Sequence, residues 1–312
     1  IYSIMKSYSL NLSLVLLYLV PVSLLTGSFL PDLIISLISL IFLFLTISEK
    51  KFKYFKNKYF VLFISFYIYI LISSFFTSEP LFSLKTTLPY IRFIIFPLAV
   101  WYLLEQRENA LKYFTYFFIF TFLLALLDGV YQIVYGFNLI GLRAELFWNN
   151  RLILTFHDTM ILGGYLARLS PLLLGLLFIF FSKNKYFYLL SCIFIIILDI
   201  VVYYSGERTA IGLIFLSSLF IIIFASKLRG LRIISLALIF IILAAITVSN
   251  DKVRERNINM TMKQVGLSLD SSEIVYFSKY HHSHIASSLK MFASNPLFGV
   301  GPNMFRKLCD ND

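Results

Sequence analysis

Nine stretches of this 312-residue chain are long and apolar, and they follow one another with only short polar breaks. They run roughly over 8–26, 32–47, 59–76, 88–104, 111–135, 159–181, 186–204, 209–225 and 231–249. An α-helix needs roughly 20 apolar residues to cross a bilayer, so most of these runs predict one crossing each. Nothing else constrains the fold as strongly. In lipid every backbone polar group has to be satisfied within its own segment, which leaves a bundle of helices as the architecture. Pro21, Pro97 and Pro171 lie inside runs, where membrane helices tolerate them. The expected class is therefore an all-α, polytopic integral membrane protein. It divides into a transmembrane domain over 1–249 and a polar segment over 250–312.

Composition agrees: 59% of residues are hydrophobic, 34 are Phe and only 14% are charged, far from a soluble domain. The net charge of +11 would suggest nucleic acid in a soluble protein. Here its distribution says otherwise. One alternate set of loops holds Lys6, Lys50, Lys51, Lys53, Lys56, Lys58, Arg107, Lys112, Lys183, Lys185, Lys227, Arg229 and Arg232, thirteen in all. The other set of short loops holds Lys85, Arg143, Arg151 and Arg208. This asymmetry predicts a cytoplasmic N-terminus and makes the basic excess a topology signal, with no nucleic-acid partner required. Residues 250–312, with eight basic and six acidic side chains, then fall on the extracytoplasmic side. Cys192 and Cys309 form no disulfide framework and no metal spacing. No cleavable signal peptide is read, since the first apolar run is followed at once by a second. The chain starts at Ile1 and stops at Asp312, and both ends read as cut.

On this topology the polar hinge Tyr203-Tyr204-Ser205-Gly206-Glu207-Arg208-Thr209-Ala210 faces outward between two crossings. Charge at a membrane surface is costly and marks candidate sites. The Arg208 guanidinium suits a phosphate, which its planar fork can hold by two charge-assisted hydrogen bonds. Glu207 either orients that fork or is a solvated partner. Thr209 is read as the cap of the following helix. Arg92 and Arg168 lie inside apolar runs, the first compatible with snorkelling and the second a candidate for the same anion. Asp128 and Asp199 are acidic residues at membrane depth that could pair with such arginines.

Three of the four histidines cluster at His281, His282 and His284, at the head of an expected amphipathic helix over 274–292. They read either as a general base or phosphate ligand, or as a polar helix face. A metal site lacks a third ligand and orienting partners. Asn295-Pro296-Leu297-Phe298-Gly299-Val300-Gly301-Pro302 reads as a helix terminator, with Arg306 just beyond as either an anion contact or surface.

The S-G-E-R-T-A run at 205–210 resembles the arginine motif of the O-antigen ligase and O-antigen polymerase family. The stretch S-L-K-M-F-A-S-N-P-L-F-G-V-G-P-N-M-F, at 288–305, resembles that family's helix ending in N-P-x-x-G-x-G-x-x-x-F. The run from Arg151 to Pro171, with T-F-H-D-x-M-I-L-G-G-Y-L-A-R-L-S-P, is similar to the region preceding these motifs. The resemblance covers roughly 141–312. It implies a GT-C-like membrane glycosyltransferase in the bacterial inner membrane, needing no cofactor and no metal. The implied donor is a glycan on undecaprenyl pyrophosphate. The implied acceptor is a sugar hydroxyl, on lipid A-core for a ligase or on a second lipid-linked glycan for a polymerase. Arg208 is then expected to hold the pyrophosphate, with Glu207, Arg168, Arg254 and Arg306 as further substrate contacts; the base is expected first from the family's later His-Asn motif and second from His281 or His284. The family's later H-N-x-x-L/I motif is absent, so the chain is expected to be a fragment inactive on its own. A transporter or flippase of lipid-linked sugar is the alternative from another class, although the internal repeats it would favour are not visible.

Overall fold

The computed structural model describes residues 2–143, 152–153, 162–265 and 279–309. Arg151, residues 154–161 with His157, and residues 274–278 of the expected amphipathic helix lie outside them. Among the described residues the chain is helical without a strand, its nearest approach being one bridge between Phe137 and Arg143. The helices are α1 (Tyr2–Ser23), α2 (Phe29–Ser48), α3 (Lys58–Phe75), α4 (Pro80–Thr87), α5 (Ile91–Gln106) and α6 (Ala110–Tyr135). They are followed by α7 (Leu162–Phe181), α8 (Phe187–Ser205), α9 (Arg208–Phe224), α10 (Ser226–Ser249), α11 (Lys279–Ser294) and α12 (Phe305–Cys309). Among the described residues, eight spans are long and apolar enough to cross a membrane, and the 17-residue α9 is a shorter apolar helix. This is the arrangement of a multi-pass membrane protein. Eight of the nine apolar runs correspond to such a span and 209–225 to α9. The run at 88–104 belongs to a longer span, Pro80–Gln106, that begins with α4.

The described residues form two compact units. One contains 1–17, 31–110 and 262–312; the other contains 18–30 and 111–261. In the first, Phe42, Tyr54, Trp101 and Tyr102 pack edge to face around the loop joining α2 to α3. The Tyr54 hydroxyl donates to Glu105 (2.7 Å), and burial together with that carboxylate raises its pKa. Lys6 and Lys51 both pair with Glu49, at 2.7 and 2.8 Å. Asn57 starts α3 by accepting from the Phe60 N–H with its side-chain oxygen.

The second unit packs α7, α8, α9 and α10 on one another, with Phe122, Leu126, Leu166, Leu173, Val201 and Ala210 in its core. Lipid tails are as apolar as these side chains, so close backbone approach must supply what the hydrophobic effect does not. Gly129 provides it: a Cβ there would lie 2.7 Å from the Val201 side chain.

Candidate functional site

At the end of α8 the chain turns on Gly206, which takes the left-handed conformation (φ +64°) that a side chain would penalise. Its N–H donates back to the Tyr203 carbonyl. Glu207 is then extended and caps α9, and Arg208 is the first residue of that helix. Thr209 is therefore not the cap, contrary to the sequence expectation: it sits exposed within the first turn. The helix begins two residues earlier than that cap implies, since the Glu207 carbonyl already accepts from the Ile211 N–H, at 3.1 Å.

The Glu207 carboxylate reaches back 44 residues. One oxygen accepts from the Gly163 N–H at 2.9 Å and the other from the Gly164 N–H at 2.8 Å. These donors belong to the first turn of α7, where N–H groups lack intrahelical partners and the helix dipole favours negative charge. Gly163 and Gly164 have to be small for this. A Cβ on Gly163 would lie 2.3 Å from the Ser205 hydroxyl, and one on Gly164 would lie 3.1 Å from the carboxylate. The turn carrying Arg208 is thereby fastened to the start of α7. Arg208 is half-buried at the N-terminal end of α9, a position where a bound anion would meet both a guanidinium and helix N–H groups. The sequence reading named Glu207 but not the two glycines. Their signal was a Gly-Gly pair opening an apolar run.

The other expected residues lie on several elements. Arg168 is exposed in the second turn of α7 and makes no ion pair among the described residues. Arg254 is exposed and pairs with Asp251 at 2.7 Å. His281 and His284 are exposed on α11, and the His284 ring lies 5.9 Å from that of Phe305. Arg306 is exposed on α12. Arg208, Glu207, Arg168 and Arg254 belong to the second unit, and His281, His284 and Arg306 to the first.

The turn after α11 does more than end a helix. The Leu297 and Phe298 carbonyls accept from Tyr69 and Ser73 of α3, at 2.5 and 2.7 Å. The Pro302 carbonyl accepts from Ser83 of α4 at 3.0 Å. The Phe298 ring stacks on Phe76 at 4.8 Å, and Lys307 pairs with Glu79. Gly301 (φ +92°) has no room for a side chain, since its Cβ would lie 2.0 Å from the Thr77 methyl. The N-P-L-F-G-V-G-P run is a plug seated on the ends of α3 and α4.

One charged residue is displaced from its expected place. Arg232 is not a loop cation. It is 4% exposed within α10 and pairs with Asp199 of α8 at 2.9 Å, while also donating to Ser218 of α9 and Ser235. The loop set counted at thirteen cations therefore has twelve. The other Asp199 oxygen has no hydrogen-bond partner. A cavity of about 10 Å³ adjoins it, lined by Ser170, Ser217, Leu198 and Ile214 among others. That volume is about one water. Arg92 likewise does not simply snorkel: it pairs with Asp32 at 2.7 Å. Asp128 accepts from the Leu139 N–H and, among the described residues, pairs with no arginine. Among the described residues no three His, Cys, Asp or Glu converge as a metal site.

Comparison of the chain with protein-family models, with curated proteins and with solved structures finds no match in any of the three.

Proposed function

We propose that the chain is a membrane-embedded glycosyltransferase of the O-antigen ligase or polymerase type, acting on an undecaprenyl-pyrophosphate-linked glycan. The observation that supports this reading best is the fastened turn: Glu207 clamps the Gly163–Gly164 backbone and so holds Arg208 at the first turn of α9. Transfer breaks the bond between the anomeric carbon and a pyrophosphate oxygen, and the electron pair leaves on the pyrophosphate. A fixed guanidinium stabilises that growing charge more in the transition state than in the ground state. The acceptor hydroxyl forms the new glycosidic bond and gives its proton to a base. The chemistry calls for no cofactor.

A second reading, transport or flipping of lipid-linked sugar, draws on a different observation. The Asp199–Arg232 pair lies buried among apolar helices, and ionisable groups at membrane depth often line pathways. One assay separates the two. Protein reconstituted in vesicles is given labelled lipid-linked glycan and a glycan acceptor, and product and sidedness are both measured. The first reading expects a new glycosidic bond, lost about a hundredfold or more in Arg208→Ala. Undiminished transfer by that variant rejects the pyrophosphate role. Movement of label across the bilayer with no bond formed supports transport instead.

A further inference from the structure

We infer that α11 and the turn that follows it form a membrane-surface anchor, with the apolar stripe of α11 resting in the acyl boundary and its flanks against anionic lipid headgroups. Ile285, Leu289 and Phe292 fall within about 60° of one another around the helix axis, given 3.6 residues per turn. All three are exposed, at 44%, 61% and 60%. Ser287, Lys290 and Ser294 lie on the opposite side, and His281 and His282 flank the stripe. An amphipathic helix with this division lies flat in an interface when something holds it there.

The turn is what holds it. Directly after Ser294, the chain seats its Leu297 and Phe298 carbonyls on Tyr69 and Ser73, in the last two turns of the membrane-crossing helix α3. The C-terminal end of α11 is thereby fixed at the level where α3 leaves the apolar layer. Around that point Leu297, Phe76 and Leu81 are 78%, 67% and 77% exposed, so the stripe continues into an apolar rim at the end of α3.

Charge selects the occupant. Residues 279–309 contain Lys279, Lys290, Arg306, Lys307 and three histidines, and no Asp or Glu. Lys307 is taken up by Glu79; Lys279, Lys290 and Arg306 have no acid in the same stretch of sequence. A second protein covering the stripe would need an acidic rim facing these cations, whereas an anionic bilayer offers apolar tails beneath a negative plane in one surface.

The test places single nitroxide labels on the whole chain in nanodiscs, in a Cys192→Ser, Cys309→Ser background. Label positions are Ile285→Cys, Leu289→Cys and Phe292→Cys on the stripe, and Ser287→Cys and Lys290→Cys on the other side. Collision with oxygen, which concentrates in lipid, is compared with collision with a water-soluble nickel chelate. We expect the stripe positions to favour oxygen and the others to favour nickel, several-fold apart, with a helical period. Nickel-accessible labels at every position would overturn the anchor, and so would stripe labels shielded from both reagents, which would mean a protein cover. Replacing the anionic lipid by a zwitterionic one should lower the oxygen preference at 285, 289 and 292. An unchanged preference would overturn the headgroup part.

Discussion

The two compact units place their charged contacts differently. In the first, ion pairs sit at helix ends and in loops: Glu49 with Lys6 and Lys51, Glu105 with Lys53, Glu79 with Lys307, and Asp32 with the partly buried Arg92. In the second, Asp251 and Arg254 pair in the open, but Asp199 and Arg232 are about 95% buried, and the Glu207 carboxylate accepts from two backbone N–H groups. Near water, a lost partner is replaced by solvent and the exchange is nearly even. Inside a packed helix group no replacement exists, so a lone charge keeps its whole desolvation cost. The second unit is accordingly the one that single substitutions should damage most, and its polar contacts are those that fix the candidate site.

The largest effect should come from Arg232→Leu, which strands Asp199. We expect a loss of about 3–5 kcal/mol, whereas the double variant Asp199→Leu, Arg232→Leu should lie close to the parent protein or above it. Titration with SDS in mixed micelles, followed by circular dichroism, measures both. If the single and double variants unfold together near the parent, the pair is not the strut this comparison makes it.

Neither this pair nor the Glu207 clamp could be seen in the sequence, although the helices around them could. An apolar run is a local property, so its length alone located the eight membrane spans and the short α9. The same local reading placed Arg232 in a loop, because it is the third cation of a basic cluster and only its contact 33 residues away shows it buried. Gly299, Gly301 and Pro302 were legible as a turn, since backbone freedom is written in residue type. Their seat on Ser73, Thr77 and Ser83 was not, since it joins residues about 220 positions apart. Arg208 was legible as a candidate because charge stands out between apolar runs. What fixes its turn, a carboxylate on two glycine N–H groups, required the fold.

The next effect should come from Glu207→Ala. It removes the acceptor of two N–H groups, each bond to a charged group being worth about 1.5–3 kcal/mol. We expect a loss of about 3 kcal/mol in the same titration, the lower end for two such bonds, because water can reach a half-buried site. Hydrogen exchange should quicken locally at Gly163 and Gly164, a signature that general destabilisation would not confine to α7. Glu207→Gln keeps one acceptor oxygen but turns an amide NH₂ toward the other donor, and it should fall between the two. Equal exchange at both glycines in all three proteins would dissolve the clamp.

The smallest effect belongs to Glu49, the counterpart in the first unit. Burial disfavours its charge, but the ammonium groups of Lys51 and Lys6 outweigh that and hold its pKa below the usual carboxylate value. A depressed folded-state pKa means that the unfolded chain takes up the proton first as pH falls. The stabilisation is therefore complete above the ordinary carboxylate range and is lost as pH drops through the depressed value. Glu49→Gln should cost at most about 1 kcal/mol at neutral pH, since both lysines remain partly in water. The gap between parent and variant should close on acidification and stay constant from pH 6 to pH 8. A gap that widened in acid would reverse the sign of the linkage, and with it the account of the first unit as one whose charges are balanced at its wet edges.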